Sequence, residues 1–175
     1  ETISAIYEKF IEEEDAAKKD RQGAFYTPRH LAEMVVDEAT SDFDTLIGKR
    51  CLDPACGSGI FLVILFNRIA EELERRNPRA HKQTRVNELL DVLENQLCGV
   101  DVNRTACRIA CFSLYIAFLD QFDPPTLIEL QERSDKLLPK LLAYKDSRYQ
   151  NTDTPVVYEG TFFDPSLPIR DDFDV

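Results

Sequence analysis

Apolar and polar positions along this chain follow two periods, and the switches between them outline its organisation. Ile3, Ile6, Tyr7 and Phe10 fall on one side of a helix predicted from about Ile3 to Lys19. Leu31, Ala32, Val35, Val36 and Ala39 repeat that spacing in a second helix. Two longer apolar stretches, Ile60 to Ala70 and Ala106 to Leu119, predict a third and a fourth. Between them stand short apolar runs with strand character: Cys51-Leu52, Leu97 to Val100, and Val156 to Tyr158. Asp172 to Val175 reads as the opening of a fourth strand. Asp120 to Ser147 is helical in tendency with Pro139 interrupting it. Lys18 to Gly23 and Lys145 to Thr154 are polar connections.

Short strands alternating with helices predict an α/β protein built on a parallel, doubly wound sheet with helices on both faces. Residues 1–22 are expected to form an N-terminal helical segment ahead of a domain at 23–175.

The densest chemistry lies where the first strand meets its helix, at Asp53-Pro54-Ala55-Cys56-Gly57-Ser58-Gly59. A strand, a Gly-rich turn and a helix N-terminus make the ground plan of a nucleotide-type cofactor site. The turn lacks the third glycine of a dinucleotide fingerprint, since Leu62 stands there. It also lacks the Lys-Ser/Thr pair of a P-loop, since Ile60-Phe61 follows Gly59. Asp53 would repel a pyrophosphate but could hold an ammonium by a charge-assisted hydrogen bond. S-adenosylmethionine carries such a group. The plain alternative is a strand-to-helix turn whose glycines serve geometry alone.

Leu97 to Asn103 reads as a second strand ending in a carboxylate. In doubly wound sheets that residue accepts hydrogen bonds from a ribose diol, so Asp101 is the candidate, with Val102 flat against the adenine. A helix cap or turn role for Asp101 is the competing reading. The usual spacing from turn to acid is about 20 residues, and here it is more than twice that. A second helical segment within Arg75 to Gln96 implies an insertion in the crossover. Upstream, Thr27-Pro28 reads as a helix start with Thr27 as cap. Its free amides suit the methionine carboxylate.

Together, G-A-F-Y-T-P-R (Gly23 to Arg29), D-P-A-C-G-S-G-I-F-L (Asp53 to Leu62) and G-V-D-V-N (Gly99 to Asn103) resemble adenine-specific DNA methyltransferases of restriction–modification systems. The resemblance spans nearly the whole chain and implies a Rossmann-like methyltransferase sheet. It implies that Phe25, Tyr26 and Thr27 line the methionine end of S-adenosylmethionine. Asp53, Ala55 and Gly57 would hold its amino and carboxylate groups, Asp101 the ribose and Val102 the adenine, with Cys56 and Gly59 also among the cofactor-binding residues. The family's third strand often ends in Asp-Phe. Here Thr161-Phe162 takes that place, where a hydroxyl substitutes for the charge.

Such enzymes orient the flipped adenine with a (D/N/S)-P-P-(Y/F/W) loop after the fourth strand. Pro124-Pro125 has Thr126 after it and precedes the third strand, so it reads as a turn. The catalytic loop is expected beyond Val175, so these residues are expected to bind cofactor without transferring methyl groups. An unpaired edge on the first strand would follow, leaving the fragment marginally stable or dimerising through that edge. Related substrates, RNA or a protein glutamine, and a non-catalytic cofactor-binding module are the other readings.

Composition narrows the partners. With 32 acidic and 21 basic residues the net charge is −11, unsuited to phosphate neutralisation, so DNA contact is expected through other domains. There is no membrane-spanning apolar run and no secretory signal. The five cysteines include no C-x-x-C pair and sit in apolar contexts, as expected of buried thiols in a reducing cytoplasm. His30 and His81 are expected in ordinary surface roles.

Overall fold

The computed structural model describes residues 27–133, 138–143, 156–169 and 171–175. The helix predicted over 3–19, the linker after it, and Phe25 and Tyr26 lie outside the described residues. Helix α1 (Arg29–Ala39) leads to β1 (Cys51–Asp53), α2 (Ile60–Arg76) and α3 (Lys82–Asp91). One π-helical turn, Val92–Gln96, runs from α3 into β2 (Leu97–Asp101). Then come α4 (Arg104–Leu119), α5 (Pro124–Arg133), β3 (Leu142–Ala143) and β4 (Val157–Glu159).

The strands form one parallel sheet in the order β1-β2-β4-β3. Cys51 pairs with Leu97 and Asp53 with Gly99, while Gly99 pairs with Val157 and Asp101 with Glu159. Paired residues of neighbouring strands share a face, and so do residues two apart on one strand. Cys51, Leu97 and Val157 therefore face the same way, into the main core with Leu62, Phe66 and Ile69 of α2 and Leu114 and Phe118 of α4. Leu52, Cys98, Val100, Ala143 and Tyr158 face the other way. They meet Leu167, Ile169 and Phe173 in a second, smaller cluster. No helical residue belongs to that cluster, so among the described residues its cover is the chain after β4, not the second helix layer expected.

The long helices form where the apolar spacing predicted them, for reasons visible at their ends. Asn103 caps α4 by accepting from the Thr105 and Ala106 amides at 2.9 and 3.2 Å. His81 caps α3, its Nδ1 accepting from the Gln83 amide. The crossover insertion is α3 with its π-helical turn. Arg85 anchors it, donating to the Asn77 carbonyl at 2.9 Å and pairing with Glu74 and Glu88.

Four further expectations need correction. Pro28, not Thr27, is the N-cap of α1, because its ψ of 140° keeps it extended and the helix begins at Arg29. Pro124-Pro125 opens α5 instead of making a turn. Asp123 caps it by accepting from the Thr126 amide at 3.1 Å, and proline suits a first helical position. Leu142–Ala143 is a short strand within the stretch read as helical, since pairing with β4 overrides local tendency there.

The edge of β1 is the fourth. The Leu52 amide donates to the Val175 carbonyl at 2.9 Å, and the Asp174 amide donates to Arg50 at 2.8 Å. These bonds follow a parallel ladder, so residues 174–175 already occupy the edge that was expected to be open.

Candidate cofactor site

Asp53 ends β1, and its side chain is only 9% exposed. One carboxylate oxygen accepts from the Ala55 amide at 3.2 Å, which fixes the side chain over the turn. The other, Oδ2, is buried with no hydrogen-bond partner. Burial, reinforced by the Asp101 charge and partly offset by the Ala55 amide, pushes the Asp53 carboxyl up to about 6. A buried acceptor without a donor is costly, and an ammonium placed against it would remove the cost.

The turn itself is held from beneath. Cys56 donates its amide to the Val100 carbonyl at 2.9 Å, and Gly59 donates to Cys56 at 2.7 Å. The Cys56 side chain is buried, and a Cβ on Gly99 would lie 3.0 Å from its sulfur. Cys56 therefore presents only backbone to a ligand. Gly57 and Gly59 both have positive φ, +51° and +85°, but their surroundings differ. A Cβ on Gly59 would come within 2.9 Å of the Ala110 Cβ, whereas one on Gly57 would meet nothing within 4 Å. Gly59 thus lets α2 close on α4, and Gly57 faces open space.

Asp101 ends β2 on the same face as Asp53, because Asp53 pairs with Gly99 and Asp101 follows two residues later. Its Oδ2 accepts from the Gly57 amide at 2.9 Å and its Oδ1 from the Asn103 amide at 2.7 Å. The carboxylate therefore ties the Gly-rich turn to the β2–α4 turn, while Asn103 does the helix capping. Val102, between them, is 70% exposed.

The structure thus brings Asp53, Ala55, Gly57, Gly59, Asp101 and Val102 to the carboxyl edge of β1 and β2. Thr161 and Phe162 lie just past β4, exposed, in a turn closed by the Asp164 amide donating to the Thr161 carbonyl at 2.9 Å. Phe162 packs edge-on against Phe163, which is 88% exposed. Thr27 is partly buried two residues ahead of α1, the helix that packs against α2.

Two residues that the pattern did not single out also stand here. Glu159 pairs in register with Asp101, and Arg104 brings its Nε to 3.6 Å from Glu159 Oε2. The signal available was the strand-end position of Glu159, hidden by the weight placed on the Thr161-Phe162 motif. All five cysteines are buried free thiols. Burial raises Cys51 to about 11 and Cys98, Cys107 and Cys111 to about 12, far from reactive thiolates. Among the described residues no helix is long and apolar enough to cross a membrane.

Parallel strands in this order, with a Gly-rich turn tied to an acid at the end of the neighbouring strand, define a Rossmann-like methyltransferase sheet. The chain belongs to the N-6 DNA methylase family, whose model matches residues 1–123. It is 24% identical over 156 residues to the type I restriction enzyme EcoEI methylase subunit of Escherichia coli, covering 89% of this chain and 27% of that protein. With the type I restriction enzyme MjaIX methylase subunit of Methanocaldococcus jannaschii it shares 31% over 116 residues, covering 66% and 17%. With the adenine-specific methyltransferase PglX of Streptomyces coelicolor it shares 30% over 136 residues, covering 76% and 11%. The chain therefore spans at most 27% of the length of these relatives.

Proposed function

We propose that these residues form the cofactor-binding part of an S-adenosylmethionine-dependent DNA methyltransferase. The whole protein would modify the 6-amino group of adenine, in the cytoplasm, within a restriction–modification or related defence system. The orphaned Oδ2 of Asp53, buried beside a Gly-rich turn, carries the reading, because its missing partner has the chemistry of an ammonium. The names of the relatives and the family membership support the substrate class.

In this reading Asp53 holds the amino group of the methionine moiety, and the backbone of Ala55, Cys56 and Gly57 passes close beside it. Asp101 accepts from the ribose hydroxyls with the lone pairs left over from Gly57 and Asn103. Val102 offers an exposed apolar surface to the adenine ring, with Thr161 and Phe162 beyond it. Phe25, Tyr26 and Thr27 complete the methionine end. When bound, the cofactor supplies an electrophilic sulfonium methyl. The residues named here would position it. DNA contact would fall to other parts of the protein, in keeping with a charge of −11 on this chain. By itself the chain is expected to bind cofactor without transferring methyl groups.

The test is calorimetry and thermal denaturation with S-adenosylmethionine and its demethylated product. At about 100 times the dissociation constant the cofactor should stabilise the protein by roughly 2.7 kcal/mol. Asp53→Ala and Asp101→Ala should each abolish most of that gain. Parent-like binding by both variants would overturn the assignment.

A further inference from the structure

We infer that Glu159 and Arg104 form a positioning pair for the nucleoside end of the site. The inference rests on the cofactor reading above and deepens it. Val102 lies on a short turn between Asp101 and the first residue of α4, Arg104. Its 70% exposure would be unremarkable on a mobile loop, but this turn is fastened at both ends. Before Val102, the Asp101 carboxylate accepts from Gly57, and its carbonyl accepts from the Gly160 amide at 2.9 Å. After it, Asn103 caps α4 and the Arg104 guanidinium reaches across to Glu159 at 3.6 Å. Asp101 and Glu159 are strand partners, so Arg104–Glu159 closes a ring around Val102. The ring runs along β2, through the turn, across the ion pair and back through the sheet.

A valine held rigidly toward solvent, at the carboxyl edge of a parallel sheet, is a prepared surface for a flat apolar ring. Holding it before the ligand arrives reduces the ordering cost of binding. Glu159 acts through Arg104 and the turn, not by touching the ligand. Thr161, by contrast, is exposed and stands past the ring.

The test separates the two ends of the ligand. 5′-Methylthioadenosine carries the nucleoside without the amino acid, so calorimetry with it and with S-adenosylmethionine reads the ends apart. Glu159→Gln keeps size and removes charge, and should weaken both ligands by the same factor, about fivefold. Arg104→Gln should match it, and the double variant should cost no more than either single one. Melting temperature without ligand monitors folding. Should a variant fail to fold, the charge-reversed pair Glu159→Arg with Arg104→Glu serves instead, and should restore parent-like binding of the nucleoside. Unchanged affinity for 5′-methylthioadenosine, or a loss confined to S-adenosylmethionine, would overturn the pair while leaving the cofactor reading intact. Failure of the parent chain to bind either ligand would overturn both.

Discussion

Burial holds the Asp53 carboxyl up to about 6, above its ordinary 3.8, so the folded chain takes up a proton there more readily than the unfolded one. Its contribution to stability is greatest below about pH 4 and is lost as pH rises through about 6. At neutral pH the ionised group costs on the order of 2–3 kcal/mol. Asn at this position keeps the acceptor for the Ala55 amide and removes the charge. Asp53→Asn should therefore raise the melting temperature of the ligand-free protein at pH 7, have little effect at pH 4, and bind cofactor poorly. An ammonium beside the carboxylate would lower its value again, so binding near pH 6 should release protons. Calorimetry in buffers of different ionisation enthalpy reads that release. Proton uptake, or none, would mean that the ligand's positive group sits elsewhere.

The strand-end placement of Asp53 and Asp101 was legible because each ends an apolar run and precedes a helix. Their sharing of one face was not, since facing depends on register and register is a property of paired strands. The pairing of Glu159 with Arg104 was invisible for the same reason: it exists only once β4 lies beside β2.

Helix α2 can lie against α4 only because the residue at its N-terminus has no side chain. A Cβ on Gly59 would press on both Ala110 Cα and Cβ, at 3.0 and 2.9 Å. Backbone cannot move aside as a flexible side chain can. Gly59→Ala combines that clash with a left-handed backbone and should cost about 2–4 kcal/mol. Gly57→Ala has the same backbone strain but open space, and should cost about 1–2 kcal/mol. The two variants should separate in chemical denaturation, while Gly57→Ala loses cofactor affinity because its methyl fills the space beside the turn. Equal destabilisation would mean that α2 does not approach Ala110 of α4 closely enough for a methyl on Gly59 to clash.

At this scale apolar spacing was a reliable guide wherever a helix is long and one-sided, as in α2 and α4. It failed where a single local feature decides. Asp123 and the two prolines after it start a helix as cap and first-turn residues. The same rule applied to Thr27-Pro28 placed the cap one residue early. The strand at Leu142–Ala143 is too short to have a period, and only its bonds to β4 define it.

Across the whole molecule the sheet has its earliest strand at one end of the order, with β3 at the other. Whether β1 is an exposed edge depends on residues 172–175. Besides their backbone bonds, Asp174 pairs with Lys49 at 3.1 Å and accepts from the Arg50 amide at 2.9 Å. Asp172 pairs with the Arg50 guanidinium. The Arg50 amide, then Lys49, hold the Asp174 carboxyl below its ordinary value. This contact is thus fully formed at neutral pH and is lost only as pH falls below the usual carboxylate range, the opposite sign to Asp53. An edge covered in this way should not recruit a second copy, so the 175-residue chain should sediment as a monomer at pH 7. Asp174→Ala removes both the ion pair and the bond to Arg50, and should speed amide exchange at Leu52 and raise the dimer fraction. Sedimentation velocity and hydrogen exchange measure the two effects together. A parent chain already dimeric, with the Leu52 amide exchanging freely, would mean that residues 174–175 do not hold the edge in solution.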